Sequence, residues 1–349
     1  MILVNNPGSW SYVYPPLRHA PWHGCTPTDL VFPFFLFIVG VAISFSFSKH
    51  ELAGATRRQL HLKVLRRALI IFAVGLFLNG FPRFDFSTIR IFGVLQRIAF
   101  AYLFASLITL NTRPKGQAWF AGGLLVFYWA VMKLVPVPGY GAGDLSIEGN
   151  LATYIDNALL KGHLWRPGWD PEGVLSTLPA IATVLIGVLV GHLLRSKRDK
   201  GELCNRMFML GWAGILAGLV WGFWFPINKG LWTSSYVLFT AGAALQFLGV
   251  CYWLVEVKGW KRWIKPAIVY GMNPLTVFIL SILFVKILFL IQIGVGGGET
   301  TTGYTWLYQN LFASWLGPMN GSLAFAIANV LLWLGVAGIL YRKRIFIKI

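Results

Sequence analysis

Polar side chains that an apolar chain could do without gather in five stretches, each holding residue types used in proton or acyl transfer. The densest reads Arg18-His19-Ala-Pro-Trp22-His23-Gly-Cys-Thr26-Pro-Thr28-Asp29 and runs straight into an apolar segment at Leu30. A histidine titrates near pH ~6.5, so His19 or His23 can take or give a proton at neutrality. Asp29 has two uses there: it orients such a base, or it caps the following helix together with Thr26. The second stretch, Asn5-Asn6-Pro7-Gly8, ends a short apolar stub with two amides. Amide N–H groups polarise a carbonyl or hold an oxyanion; the plainer reading is a polar helix end. In the third, Arg83-Phe-Asp85 and Arg90 precede Gly93-Val-Leu-Gln96-Arg97. An arginine inside an apolar span costs at least about 2.5 kcal/mol unless paired or hydrated. Arg97 therefore lines a polar cavity or pairs with Asp85. The fourth, Trp169-Asp170-Pro-Glu172-Gly173, sets two carboxylates beside an indole, as a sugar or amine site does; the fifth is Pro226-Ile-Asn228-Lys229-Gly-Leu-Trp232. Lys286 and a helix break at Asn273-Pro274 complete the set.

Other chemistries leave no trace. The chain has no Gly-rich Lys-Ser/Thr phosphate loop, no G-x-S-x-G elbow and no H-E-x-x-H pair. Cys25, Cys204 and Cys251 lack ligand spacing, and Pro21 and Gly24 break any helix that would join His19 to His23, so no metal is expected.

These residues sit among elements built for a bilayer. Of 349 residues 56% are apolar and 12% charged, about half the charge of a soluble domain. Eight apolar runs reach the roughly 20 residues that a spanning helix needs: Leu30–Ser48, Ile91–Leu110, Ala118–Val135, Val174–Leu194, Phe208–Phe225, Ser234–Val255, Ala267–Ile291 and Ser322–Tyr341. Ala68–Phe81 is shorter but must cross if its neighbours alternate. Residues 1–349 thus read as one all-α, polytopic integral membrane helix bundle with nine crossings. Met1–Val4 reads as the outer end of a helix that begins upstream, which makes ten. The spacings Gly187/Gly191 and Gly214/Gly218/Gly222 mark close helix packing.

The net charge of +18 would suggest nucleic acid on a soluble protein. Assigned to alternate connections, 21 of the 30 basic residues and four of the 12 acidic ones, Glu51 and Lys348 among them, fall on one side. That is the positive-inside pattern, so the charge needs no nucleic acid. It puts the C-terminus in the cytoplasm and the loops of His19, His163 and Asn228 outside.

The same stretches resemble the heparan-alpha-glucosaminide N-acetyltransferase family, in its bacterial branch. The likeness runs in order through Leu3-Val-Asn5-Asn6-Pro-Gly, His19-Ala-Pro-Trp22-His23-Gly, Thr28-Asp29-Leu-Val-Phe-Pro, Gly93-Val-Leu-Gln96-Arg97, Asp170-Pro-Glu172-Gly-Val-Leu-Ser-Thr and Pro226-Ile-Asn228-Lys229-Gly-Leu-Trp232. The resemblance implies a membrane acyltransferase carrying acetyl from cytoplasmic acetyl-CoA, its co-substrate, to an amino sugar or glycan on the far side. It puts the essential histidine at His19, its acid at Asp29 and the active-site asparagine at Asn5. The longer Asn5–His19 spacing brings in Asn6, and a Leu-Asp-x-x-Arg-Gly segment usual in the family is missing. His23, Trp22, Gln96, Arg97, Asp170, Glu172, Asn228 and Lys229 are then expected to hold substrate. A bacterial inner membrane and a homodimer are expected with it. The competing class is a permease that passes N-acetylglucosamine unchanged.

Overall fold

The computed structural model describes residues 1–296 and 298–347. Lys348 lies outside them, as does the side chain of Glu51. The described chain is helical, interrupted by the two short hairpins β1–β2 (Pro136–Val137, Gly141–Ala142) and β3–β4 (Gln292–Gly296, Glu299–Thr302). In chain order the helices are α1 (Ile2–Asn5), α2 (Val31–Leu52), α3 (Arg57–Gly80), α4 (Val94–Asn111), α5 (Pro114–Leu134), α6 (Leu151–Leu160) and α7 (Thr177–Leu194). They continue with α8 (Lys200–Trp221), α9 (Ser234–Tyr252), α10 (Lys265–Met272), α11 (Pro274–Leu290), α12 (Gly303–Tyr308) and α13 (Ser314–Arg342).

Six stretches among the described residues are long and apolar enough to cross a membrane: Pro27–His50, Val94–Asn111, Thr177–Leu194, Lys200–Trp221, Ser234–Val257 and Gly303–Arg342. A seventh follows if α10 and α11, bent by 72° between Met272 and Pro274, form one broken span. The bend falls at the expected Asn273-Pro274, because proline brings no N–H to continue the ladder. The protein is therefore an all-helical membrane protein, but length and composition do not reach the expected nine to ten crossings. Two helices make the difference. The first half of α3 carries Arg57, Arg58, Lys63, Arg66 and Arg67, and α5 dilutes its apolar residues with Gln117, Gly122, Gly123 and a lysine near each end.

The helices cluster in two compact units. The larger holds Asp29–Gly259 with Ala20–Cys25, hence α2 to α9; the smaller holds Met1–His19, Thr26–Thr28 and the chain from Trp260 on. In the larger unit α2, α4, α7 and α9 run the same way. Gly40 lies against Val184 and Gly187, and Ser44 one turn further lies against Gly191. Arg97, early in α4, bonds Ser176 just before α7, and Trp232 just before α9 packs edge-on against Phe32 at 5.1 Å. Four helix N-termini therefore meet at one end, each carrying roughly half a positive charge.

Glycine lets α2 and α7 approach backbone to backbone. A Cβ on residue 187 would stand 2.0 Å from the Phe37 carbonyl oxygen, and one on residue 40 the same 2.0 Å from that of Val184. The expected Gly187/Gly191 and Gly214/Gly218 faces are real helix contacts, the latter against α9; Gly222 instead meets its own helix and Ile227. Gly187→Ala should lower stability by about 1–3 kcal/mol, because overpacking moves two backbones apart. Gly122→Ala, where nothing lies within 4 Å, should leave the detergent melting temperature unchanged. Equal melting temperatures for the two variants would show that the α2–α7 contact does not support the bundle.

In the smaller unit, α1 and α10 to α13 enclose a separate core of Val269, Val277, Trp333 and Ala337. Its N-terminal segment is tied down at three points. Pro7 O accepts from the Tyr304 hydroxyl at 2.6 Å, Gly8 N donates to Ser322 O at 3.2 Å, and Ser9 N donates to Ser322 Oγ at 3.0 Å.

Candidate functional site

Where the four N-termini meet, the larger unit buries an unusual density of charge. Arg90, on the approach to α4, grips Asp170 with two bonds, Nε to Oδ2 at 2.8 Å and Nη2 to Oδ1 at 2.6 Å. Its Nη2 also reaches Glu172 Oε2 at 2.5 Å. Burial alone would lower the Arg90 pKa; the bonds and charges of Asp170 and Glu172 outweigh it and raise it. Asp170 further organises its own loop, accepting from the backbone N–H of Trp165 and of Glu172, each at 2.9 Å.

One turn into α4, Arg97 is fully buried. Its Nη2 donates to Ser176 Oγ and to Gly173 O, and the guanidinium lies 5.1 Å from the centre of the Trp232 ring. Nε and Nη1 have no hydrogen-bond partner among the described residues, and neither has the buried Nε2 of Gln96. Trp232 is itself fixed by Nε1 donating to Thr183 Oγ1 at 3.1 Å. The expected alternative partner, Asp85, is occupied elsewhere: it accepts from Ser87 and Thr88 in an exposed turn. The Gln96-Arg97, Gly173-Ser176 and Trp232 motifs therefore meet at one guanidinium.

Asp29 sits inside the 3-10 turn Pro27–Leu30 that leads into α2, 1% exposed. Its Oδ2 accepts from Ala20 N at 3.0 Å, its Oδ1 lies 3.4 Å from Lys229 Nζ, and its backbone oxygen accepts from the Tyr236 hydroxyl at 2.6 Å. Thr26, the other half of the expected capping box, donates to Arg18 O at 2.7 Å. Burial lowers the Lys229 pKa, and the charges of Asp29 and Glu172 only partly restore it. Burial, with Asp29 adding, pushes the Cys25 thiol up to about 12, so it is no nucleophile at neutral pH.

The Pro226–Ser235 loop closes this end. Asn228 is fully buried; its Oδ1 accepts from Leu231 N at 2.8 Å, and its Nδ2 donates to His23 Nδ1 at 3.3 Å. That bond sets His23, an exposed ring, as a neutral Nε2–H tautomer, and burial of part of the ring lowers its pKa. Trp22 donates to Leu145 O at 2.8 Å and meets Trp169 edge to face at 5.8 Å. A Cβ on Gly230 would stand 2.9 Å from Trp22 and 3.1 Å from Trp169, so only glycine fits beneath this pair.

Nine of the twelve expected site residues thus share one unit: Trp22, His23, Asp29, Gln96, Arg97, Asp170, Glu172, Asn228 and Lys229. Asn5, Asn6 and His19 belong to the other. There Asn6 is buried, while Asn5 and His19 are exposed. Sequence reasoning named Arg90 without its partners and missed Asp156 altogether. The available signal was a lone acid on the short, otherwise uncharged helix Leu151–Leu160. Among the described residues no three His, Cys, Asp or Glu gather as metal ligands do.

Against known proteins, residues 9–219 match the family model described as heparan-alpha-glucosaminide N-acetyltransferase, catalytic. The human heparan-alpha-glucosaminide N-acetyltransferase is 29% identical over 417 aligned positions, and that of Mus musculus 28% over 410. Each alignment takes in 100% of this chain and 58% of the relative, so the chain spans little more than half the length of these curated proteins.

Proposed function

Because this chain belongs to the heparan-alpha-glucosaminide N-acetyltransferase family, we propose that it moves acetyl from cytoplasmic acetyl-CoA to an amino sugar on the opposite side of a bacterial inner membrane. The observation that carries the reading is the hydrogen bond from Ala20 N to Asp29 Oδ2 at 3.0 Å. The acid expected to serve His19 anchors the next residue in the chain. On this reading α3 and α5 cross as well, giving nine crossings, and the C-terminus is cytoplasmic.

A thioester is already activated, so the chain has three tasks: to deliver a neutral amine, to take its proton, and to hold the tetrahedral oxyanion. The amine nitrogen attacks the acetyl carbon, His19 takes the amine proton, and the carbon–sulfur bond breaks to release CoA as thiolate. In the covalent variant His19 takes the acetyl first and passes it on. Asp29 orients the histidine, and Asn5 or Asn6 donates to the oxyanion. Trp22, His23, Gln96, Arg97, Asp170, Glu172, Asn228 and Lys229 bound the acceptor side. The basic residues at the opposite helix ends match the phosphates of CoA in charge.

Proteoliposomes loaded with glucosamine and given external acetyl-CoA test the reading. Free CoA outside and N-acetylglucosamine inside are expected, in equal amounts. Counterflow of N-acetylglucosamine without CoA release would make the protein a permease instead.

A further inference from the structure

The segment bearing Asp170 and Glu172 is gripped from a helix with no part in the scheme above. Asp156, on α6, is 1% exposed, and its Oδ1 accepts from Val174 N at 2.8 Å. The approach is so close that a Cβ on residue 173 would stand 1.7 Å from Asp156 Oδ2. The next residue, Asn157, donates to Gly168 O at 2.8 Å. Helix α6 thus holds the segment at 168 and again at 174, with both acids between. From the other side, Arg97 Nη2 holds Gly173 O at 3.3 Å and bonds Ser176. The Gly173–Val174 peptide is clamped through its carbonyl by a guanidinium and through its amide by a carboxyl group.

We propose that Asp156 is a positioning residue that sets Arg97 for acetyl transfer. Neutral, it leaves the guanidinium on Gly173 and Ser176; ionised, it draws that buried charge toward itself and off the segment. The role rests on the function proposed above.

The charged and titratable groups facing Asp156 are Arg97 from α4, Tyr128 from α5 and Asp170 from the clamped segment. Burial pushes the carboxyl up to about 7; the Val174 N–H and Arg97 oppose the rise and Asp170 adds to it. The change of state therefore falls at neutral pH. The folded protein keeps a proton that an unfolded chain releases at an ordinary carboxyl pKa of ~3.9. Stability is then lost as pH rises between those two values and is level above them.

The test is Asp156→Asn, which still accepts from Val174 N and cannot ionise. For wild type, kcat/KM should fall about tenfold per pH unit above neutrality. The variant should lose that fall. The wild-type detergent melting temperature should drop by about 3 °C per pH unit between pH ~5 and ~7, and the variant's should not. Asn157→Ala should lower the melting temperature equally at every pH, showing that loosening the grip alone gives no pH dependence. An unchanged pH–rate profile in Asp156→Asn overturns the proposal. So does a variant whose melting curve alone loses its pH dependence, which makes Asp156 a structural clasp. A wild type that transfers no acetyl removes the functional reading and this role together, while the melting curves still report whether the carboxyl titrates in the fold.

Discussion

Arg90→Ala should melt about 10 °C below the wild type in detergent. The substitution takes the cation from two carboxylates whose side chains are 0% and 10% exposed. Removing one partner of a buried ion pair costs about 3–5 kcal/mol, because the remaining charge stays desolvated. At roughly 2–4 °C per kcal/mol for a domain of a few hundred residues, that gives the figure above. Three features make this ion pair sensitive. Arg90 makes a two-pronged bond to Asp170, Asp170 bonds two backbone N–H groups of its own loop, and that loop leads directly into α7. Arg90→Lys keeps the charge but loses the planar fork, so it should fall between the two. A melting temperature for Arg90→Ala within 2 °C of wild type would show that the pair does not hold the segment.

What the sequence alone made legible followed from local pattern. Apolar runs placed α2, α4, α7, α8 and α9 because a spanning helix declares itself by length and composition. Glycines four apart identified the face of α7 that meets α2, and Asn273-Pro274 located a bend because proline acts on its own turn. The site was legible as a set of polar motifs but not as a set of partners. Arg90 and Asp170 are 80 residues apart, and no periodicity in sequence links them. The same limit explains why Asp85 looked like a partner for Arg97: nearness along the chain stood in for nearness in space. Asp29 invited a capping assignment because acids favour helix starts, but its contacts with Ala20 and Lys229 follow no local pattern. Asp156 was invisible because one acid on a ten-residue helix carries no motif, and its importance comes from a close approach that only Gly173 permits. The expected crossing count ran ahead of composition at α3, where five basic residues precede the apolar half.

The most direct test of the account is acetyl transfer by His19→Ala. A general base contributes about 10²–10⁴-fold to rate, and the His19 ring is exposed, so its loss should affect chemistry far more than folding. The melting temperature of the variant, measured alongside, separates loss of chemistry from loss of fold. Purified protein in detergent, given acetyl-CoA and glucosamine, reports both free thiol and labelled product. CoA release by folded His19→Ala protein should fall at least about 100-fold. Release at the wild-type rate from a folded His19→Ala protein would contradict the proposed role of His19.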